Sequence, residues 1–393
     1  MAAHQMPRAA PPRVDLTSVD AVADDKGTAS GLQRYRMDVV RAKTLYGVIR
    51  MAEDTTTGTP VVVKQCDKRL VAAKRTRSGE PIEEDVAEEA RLHGKISADT
   101  GCSVHVLKHL DTFETTRYIF LVLELAAGGE MFNHVGDRPP VTDPARLAQR
   151  RHLGLHPNEV EAREYARQLF LGVAYLHSRR VCHRDLSLEN LMLDHHRRLK
   201  IIDFGLALQY PADNAEFRTP AKPVGKLGYM SPEVYDNREY DARANDMWCC
   251  GIIVFILLVG APPYKLPAAN DPRFRLLSQG RMKELLEHWR VAHHFSDEAL
   301  NFVQSLLLAD VRRRATLPQV LRHPWLNITQ DEMERHGISC EPESIYESSV
   351  SLSDDDSDSD MVIDEEQLAR VPDGASASPF GHGAQIARTA NDF

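Results

Sequence analysis

A chain of 393 residues is too long for a disulfide-stapled miniprotein and long enough for one large two-lobed domain or several ordinary ones. With 27% charged and 42% apolar residues, its composition excludes collagen, coiled coil and wholesale disorder. The net charge of −9 is local: eleven Asp and Glu lie between Ile338 and Glu366 with no Lys or Arg, so the rest of the chain is slightly basic.

Residues 1–35 are rich in Ala, Pro, Arg and Asp without periodicity and are expected to be disordered. The opening MAAHQMPRAAPPRVDL lacks the apolar run of a signal peptide, and Ala2 stands where myristoylation needs Gly. From Asp38 to Gln65, runs with β-branched residues broken by TTTGTP (Thr55 to Pro60) predict strands joined by a turn. Residues 81–97 carry a charged helical pattern, and Val104 to Leu125 returns to two strands around a polar turn. The stretch Gly136 to Pro157, with Pro139, Pro140, Arg146, Arg150 and Arg151, is expected to be a basic surface insertion.

After it the period becomes helical. Ala162, Tyr165, Ala166, Leu169, Val173 and Leu176 fall three or four apart, with Asn158 and Glu161 spaced as a capping box. Further helices are predicted over 245–259, 277–290, 297–308 and 317–322, giving a β-rich first part and an α-rich second, an α+β class. The most apolar run, Ile252 to Val259, is eight residues against roughly 20 for a membrane span, so it is expected to be a buried helix and no membrane partner is expected. Six cysteines without CxxC or regular spacing point to neither a zinc site nor a disulfide framework, and imply a reducing compartment, cytoplasmic with the nucleus as a further option. The basic cluster Lys64 to Arg77 sits at a strand-to-helix connection and is expected to be a solvated loop, with no nucleic-acid partner.

HRDLSLENLML (His183 to Leu193) places a carboxylate, Asp185, five residues before an amide, Asn190, ahead of a short strand. KIIDFGLA then delivers Asp203 beside a flexible Phe-Gly pair. A carboxylate that orients a hydroxyl, with an amide and a second carboxylate for a hard cation, is what phosphoryl transfer to an alcohol requires.

On these motifs the chain resembles the eukaryotic protein kinases from about Tyr35 to Trp325. The resemblance implies a bilobal kinase domain over 36–330, divided into an N-lobe 36–123, a hinge 124–127 and a C-lobe 128–330. The insertion 136–157 falls within it, and a disordered acidic tail, 331–393, follows. It also implies ATP and Mg²⁺ as cofactors, with Mn²⁺ as a substitute, and the roles in the family's template pass to matching positions. Lys64, ending VVVK, holds the ATP phosphates, and Glu89 is its helix partner. The adjacent Glu88 competes for that role, and the register of Leu92 and Ile96 favours Glu89. Asp185 is the catalytic carboxylate, while Asn190 and Asp203 ligate metal. Gly47, Ile49, Val62, Leu123 as gatekeeper, Glu124, Ala126, Glu130 and Met192 surround the nucleotide. GKLGYMSPE (Gly225 to Glu233), DMWCCG, Arg314 as partner of Glu233, and the closing HPW (His323 to Trp325) match the C-lobe. The GGEMF hinge and HPW most resemble cyclic-nucleotide-dependent and calmodulin-dependent serine/threonine kinases.

The chain departs from that pattern in three places. Ala42 and Thr44 stand at the first two glycines of the phosphate loop, and Val62 enlarges the adenine roof, which predicts weakened ATP binding. Ser187 stands at the catalytic-loop lysine and Lys226 at the facing threonine, a reciprocal exchange that would keep a cation beside the γ-phosphate. Lys222 occupies the usual activation phosphosite, leaving Thr219 as the plausible alternative. The leading expectation is an active serine/threonine kinase; the alternatives are a pseudokinase scaffold and, more remotely, tyrosine specificity. Glu130 and Glu189 suit a protein substrate with basic residues before the target. The tail serines Ser351, Ser353, Ser357 and Ser359 among aspartates suit an acidophilic kinase, and the tail is expected to solubilise the chain or compete for the basic insertion.

Overall fold

The computed structural model describes residues 29–75, 81–99, 101–136, 157–212, 218–329 and 331. Most of the insertion, the acidic tail with its serines, and residues 1–28 lie outside the described residues.

The first described element is helix α1 (Ala29–Arg34), inside the segment expected to be disordered. Long-range contacts hold it. Arg34 donates to Asp54 at 2.7 and 3.1 Å, and a Cβ on Gly31 would fall 2.4 Å from the Phe113 ring, so only glycine permits the approach. Strands β1 (Tyr35–Lys43), β2 (Gly47–Asp54) and β3 (Thr59–Asp67) follow, the last two joined through the predicted TTTG turn. A short helix α2 (Lys68–Ala73) precedes α3 (Val86–Ser97), whose N-cap Asp85 accepts from the amides of Ala87 and Glu88. Strands β4 (His109–Glu114) and β5 (Tyr118–Glu124) complete an antiparallel sheet of order β1-β2-β3-β5-β4.

The second lobe is mainly helical. Strand β6 (Gly129–Glu130) and helix α4 (Met131–Gly136) lead to α5 (Pro157–Ser178), β7 (Val181–Cys182), β8 (Leu191–Leu193), β9 (Leu199–Ile201) and β10 (Leu208–Gln209). Helices α6 (Pro232–Tyr235), α7 (Ala242–Val259), α8 (Pro272–Ser278), α9 (Met282–His288), α10 (Asp297–Leu306) and α11 (Leu317–Leu321) follow. By length and composition α7 resembles a membrane span, yet it is almost wholly enclosed by protein, as expected for its apolar run. The five described cysteines are free thiols.

Two local expectations are corrected. Helix α5 starts at Pro157, so Asn158 lies inside the first turn, and Glu161 bonds His134 at 2.8 Å; they form no capping box. The helix predicted over 277–290 is two helices, because Gly280 adopts φ +82° and ends the first one. Glu159 is buried and accepts from the Ser296 amide and hydroxyl at 2.8 and 2.6 Å and from the Trp325 indole at 2.9 Å, tying α5 to the end of the domain. Arg314 and Glu233 form the expected buried pair, with two bonds of 2.7 and 2.9 Å.

Candidate active site

Strand β3 and helix α3 bring Lys64 and Glu89 together. The Lys64 ammonium donates to both Glu89 oxygens at 3.0 and 2.8 Å and reaches Asp203 Oδ1 at 3.4 Å. Burial pushes the Lys64 amine down, but the carboxylates of Asp203 and Glu89 outweigh it and hold it well above the ordinary lysine value. Glu88 points elsewhere and pairs with Arg91, which settles the choice between the neighbouring glutamates.

The loop between β7 and β8 is held from below by Asp246 of α7. Its carboxylate accepts from the amides of His183 and Arg184 at 2.9 and 2.8 Å and meets His177 Nε2 at 2.9 Å. His177, Cys182 and Asp246 lie close enough to share an ion, but both Asp246 oxygens are already occupied by these bonds. On this platform Asp185 Oδ1 accepts from the Lys226 amide at 3.0 Å, and Oδ2 accepts from Asn190 Nδ2 at 2.7 Å and Lys226 Nζ at 3.3 Å. Lys226 Nζ also donates to Ser187 Oγ at 2.9 Å, so the two residues of the expected exchange meet beside Asp185.

Asp203 follows β9 with φ +63°, a left-handed conformation costing on the order of 1 kcal/mol in a non-glycine residue and held here by its surroundings. Burial raises its carboxyl, but Lys64 and then Lys226 outweigh that and hold it below the usual carboxylate range. Asn190 turns its amide nitrogen to Asp185, leaving its oxygen as a ligating atom. With the Asp203 carboxylate it offers the hard oxygen donors that suit Mg²⁺ or Mn²⁺.

Most of the residues expected to face the nucleotide lie on two sheets. Ile49 pairs with Lys64 across β2 and β3, and Val62 pairs with Leu123 across β3 and β5. Glu130 pairs with Met192 across β6 and β8. The Glu124 side chain is drawn aside by Lys200 Nζ at 2.6 Å and the Lys108 amide at 3.1 Å, and Ala126 follows it in the connection to β6. Glu189 Oε2 is buried without a hydrogen-bond partner, and burial with the nearby Glu189 charge raises the Glu130 carboxyl.

The turn between β1 and β2, where the phosphate loop is expected, is only three residues, Thr44 to Tyr46. The Thr44 amide donates to the Gly47 carbonyl and the Gly47 amide to Thr44 Oγ1, both at 3.0 Å, so two amides are consumed internally. Gly47 is required for another reason: a Cβ there would lie 1.9 Å from the Gln65 carbonyl of β3. Tyr46, missed from the sequence, is 1% exposed and donates to the Glu84 carbonyl at 2.7 Å, pinning the loop tip ahead of α3. Ala42→Gly with Thr44→Gly removes the Oγ1 acceptor of the Gly47 amide and is expected to tighten ATP binding several-fold, measured as a dissociation constant; equal constants would refute the argument.

The activation segment differs from expectation. Thr219 is buried, its main chain pairs with Tyr240 at 2.7 and 3.2 Å, and it is not presented for modification in this arrangement. Arg184 Nε instead donates to the Tyr240 hydroxyl at 3.2 Å, and Lys222 pairs with Glu83 ahead of α3.

Residues 45–326 match the protein kinase domain family. The chain is 32% identical over 260 residues to serine/threonine-protein kinase SAPK7 of Oryza sativa subsp. japonica, covering 66% of this chain and 65% of that protein. It is 32% identical over 301 residues to SAPK9 of the same plant, covering 75% and 72%, and 32% identical over 263 residues to SRK2G of Arabidopsis thaliana, covering 66% of each. The chain thus spans about two thirds of the length of these curated relatives. A family match over most of the chain, on a two-lobed fold that assembles Lys64, Glu89, Asp185, Asn190 and Asp203, establishes that the chain belongs to the protein kinase family.

Proposed function

We infer that the chain is an ATP-dependent protein serine/threonine kinase. The observation that carries this reading is the formed Lys64–Glu89 pair with Asp203 at 3.4 Å, opposite an Asp185 held by Asn190 and Lys226. Lys64 holds the ATP phosphates, Asp185 orients the substrate hydroxyl toward the γ-phosphate, and Asn190 and Asp203 would hold the divalent cation. When bound, that cation neutralises charge on the transferring phosphate.

Lys226 completes the site from the segment facing the catalytic loop, with Ser187 directing its ammonium. Lys226→Thr is expected to lower turnover at least ~10-fold through lost electrostatic stabilisation, and Ser187→Lys in that background to restore part of it. Equal single-turnover rates for all three proteins would remove Lys226 from the mechanism.

The unpartnered Glu189 oxygen and its neighbour Glu130 favour substrates with a basic residue before the target Ser or Thr. Transfer of labelled γ-phosphate to an arrayed peptide set tests activity and preference together; a basic bias that disappears with Glu189→Gln is expected. The finer likeness to cyclic-nucleotide-dependent and calmodulin-dependent kinases rests on GGEMF and HPW alone. The domain limits 36–330, a cytoplasmic and nuclear location, and phosphorylation of the tail by an acidophilic kinase belong to the same proposal. The closed Thr44–Gly47 turn favours the rival pseudokinase reading, which predicts nucleotide or partner binding without transfer.

A further inference from the structure

The segment from Thr219 to Lys226 is fixed at both ends. At one end Thr219 pairs through its main chain with Tyr240, whose hydroxyl takes the Arg184 Nε at 3.2 Å. At the other, Val224 is buried among Cys182, Met230, Val234 and Tyr240. Gly225 follows with φ +88°, and a Cβ there would fall 2.8 Å from the Arg184 carbonyl, so the segment closes directly on the catalytic loop. The Lys226 amide then reaches Asp185 Oδ1 at 3.0 Å.

Between these anchors Lys222 crosses to the β-rich lobe and pairs with Glu83. Glu83 lies two residues before Asp85, the N-cap of α3, and that approach is itself held. The Ile82 side chain is buried, its amide donates to the Lys74 carbonyl at 2.9 Å, and the Asp85 amide donates to the Gly205 carbonyl at 3.1 Å. Glu89, the partner of Lys64, donates its amide to the Asp85 carbonyl at 2.8 Å, in the first turn of the same helix.

Where phosphorylation orders such a segment, the added anion is received by arginine. Here the polarity is reversed: the segment supplies the cation, the approach to α3 supplies the anion, and Arg184 Nε is spent on a neutral hydroxyl. The hydroxyl residues between Phe204 and Met230 are Tyr210, Thr219 and Tyr229. The Tyr210 hydroxyl donates to the His177 carbonyl at 2.8 Å, and that of Tyr229, itself buried, accepts the Leu188 amide at 3.4 Å. The Thr219 hydroxyl is buried without a hydrogen-bond partner, so adding phosphate to it would require the segment to open.

We propose that the Lys222–Glu83 pair is a permanent latch in place of an activating phosphate, holding the segment against α3 so that the chain is competent with that segment unphosphorylated. Both are positioning residues. The pair acts through α3 on Glu89 and Lys64, and through Val224 and Gly225 on Lys226 and Asp185. Both side chains are about half exposed, so the latch shifts the equilibrium by about fivefold or less and is screened by salt.

The turnover arm of the test rests on the kinase reading, and the exchange arm does not. Full chain treated with a protein phosphatase, until mass spectrometry finds no phosphate on Tyr210, Thr219 or Tyr229, should keep turnover within about twofold of the untreated chain. Lys222→Glu and Glu83→Lys should each lose about fivefold in kcat with little change in the KM for ATP or peptide. Each should also speed hydrogen exchange of the Thr219, Lys226 and Asp85 amides, all bonded in the structure, by a similar factor. Glu83→Lys combined with Lys222→Glu should restore both readouts, which a generic surface charge effect would not do. Raising salt from about 0.05 to about 0.5 M should erase most of the difference between wild type and Lys222→Met. Wild-type kcat and exchange in both single reversals would overturn the proposal, as would a double reversal no better than the singles. So would a phosphate-free chain whose turnover returns only when the segment is phosphorylated. If wild type transfers no phosphate, the kinase reading fails alone, and exchange in the reversal series still decides whether the latch exists.

Discussion

With Asp185 replaced by Asn, γ-phosphate transfer is expected to fall by about 10²- to 10⁴-fold, the usual range for loss of a positioned acid or base. Both Asp185 oxygens are acceptors in the structure: Oδ1 takes the Lys226 amide, and Oδ2 takes Asn190 Nδ2 and Lys226 Nζ. An asparagine amide offers one acceptor and one donor. Whichever way it turns, its NH₂ group faces an existing donor, so the variant loses the carboxylate proposed to orient the hydroxyl together with one local hydrogen bond at the Oδ1 position or two at Oδ2. The residues proposed to contact ATP, Lys64 and those on the facing strands, are untouched, so nucleotide affinity should change by less than about twofold. Single-turnover transfer measured beside nucleotide binding separates the two effects. Wild-type and variant proteins that are equally inactive but bind ATP would replace the kinase reading with the pseudokinase one.

Arg314→Leu is expected to destabilise the protein by about 3–5 kcal/mol, because it leaves Glu233 as an uncompensated buried charge. The lost guanidinium also serves the Leu308 and Ala244 carbonyls and sits 4.9 Å over the Trp248 ring. Burial raises the Glu233 carboxyl, and Arg314 outweighs it to hold the group below its ordinary value. The pair's contribution is therefore present above the ordinary glutamate range and is lost as pH falls through the depressed value. For a domain of this size the loss corresponds to a melting shift on the order of 10 °C. Thermal or urea melts should also show that Glu233→Leu with Arg314→Leu recovers part of it, since no charge is then stranded. A single variant that melts with wild type would mean that the pair contributes nothing net.

The parts of this fold legible in the sequence were those whose signal is local or carried by a motif. The TTTG turn, the period of α5, the Asp185–Asn190 spacing and the Glu233–Arg314 partnership all appear where they were expected. The Asn158–Glu161 spacing was equally local and misled, because Glu161 is taken by His134 from another helix. Tyr46 and Glu83 were passed over because each looks ordinary in its own window. A tyrosine at a hairpin tip is usually solvent-facing, and only the Glu84 carbonyl 38 residues away explains its burial. Glu83 is one acid among several ahead of α3, and its partner, Lys222, belongs to the other lobe. Helix α1 escaped for the same reason: six residues carry no periodic signal, and its anchors, Asp54 and Phe113, come much later.

The buried carboxylate of Glu159 imposes an order of events on the growing chain. Its hydrogen-bond donors, Ser296 and Trp325, lie 137 and 166 residues downstream. At typical synthesis rates they emerge on the order of 10 s after it does. Until then α5 cannot bury that carboxylate without stranding a charge, so it must keep this end solvated. Ser296 already supplies a donor to each Glu159 oxygen, so the lobe can bury that carboxylate once Ser296 has emerged, and the Trp325 indole adds a further bond when the end of the domain follows.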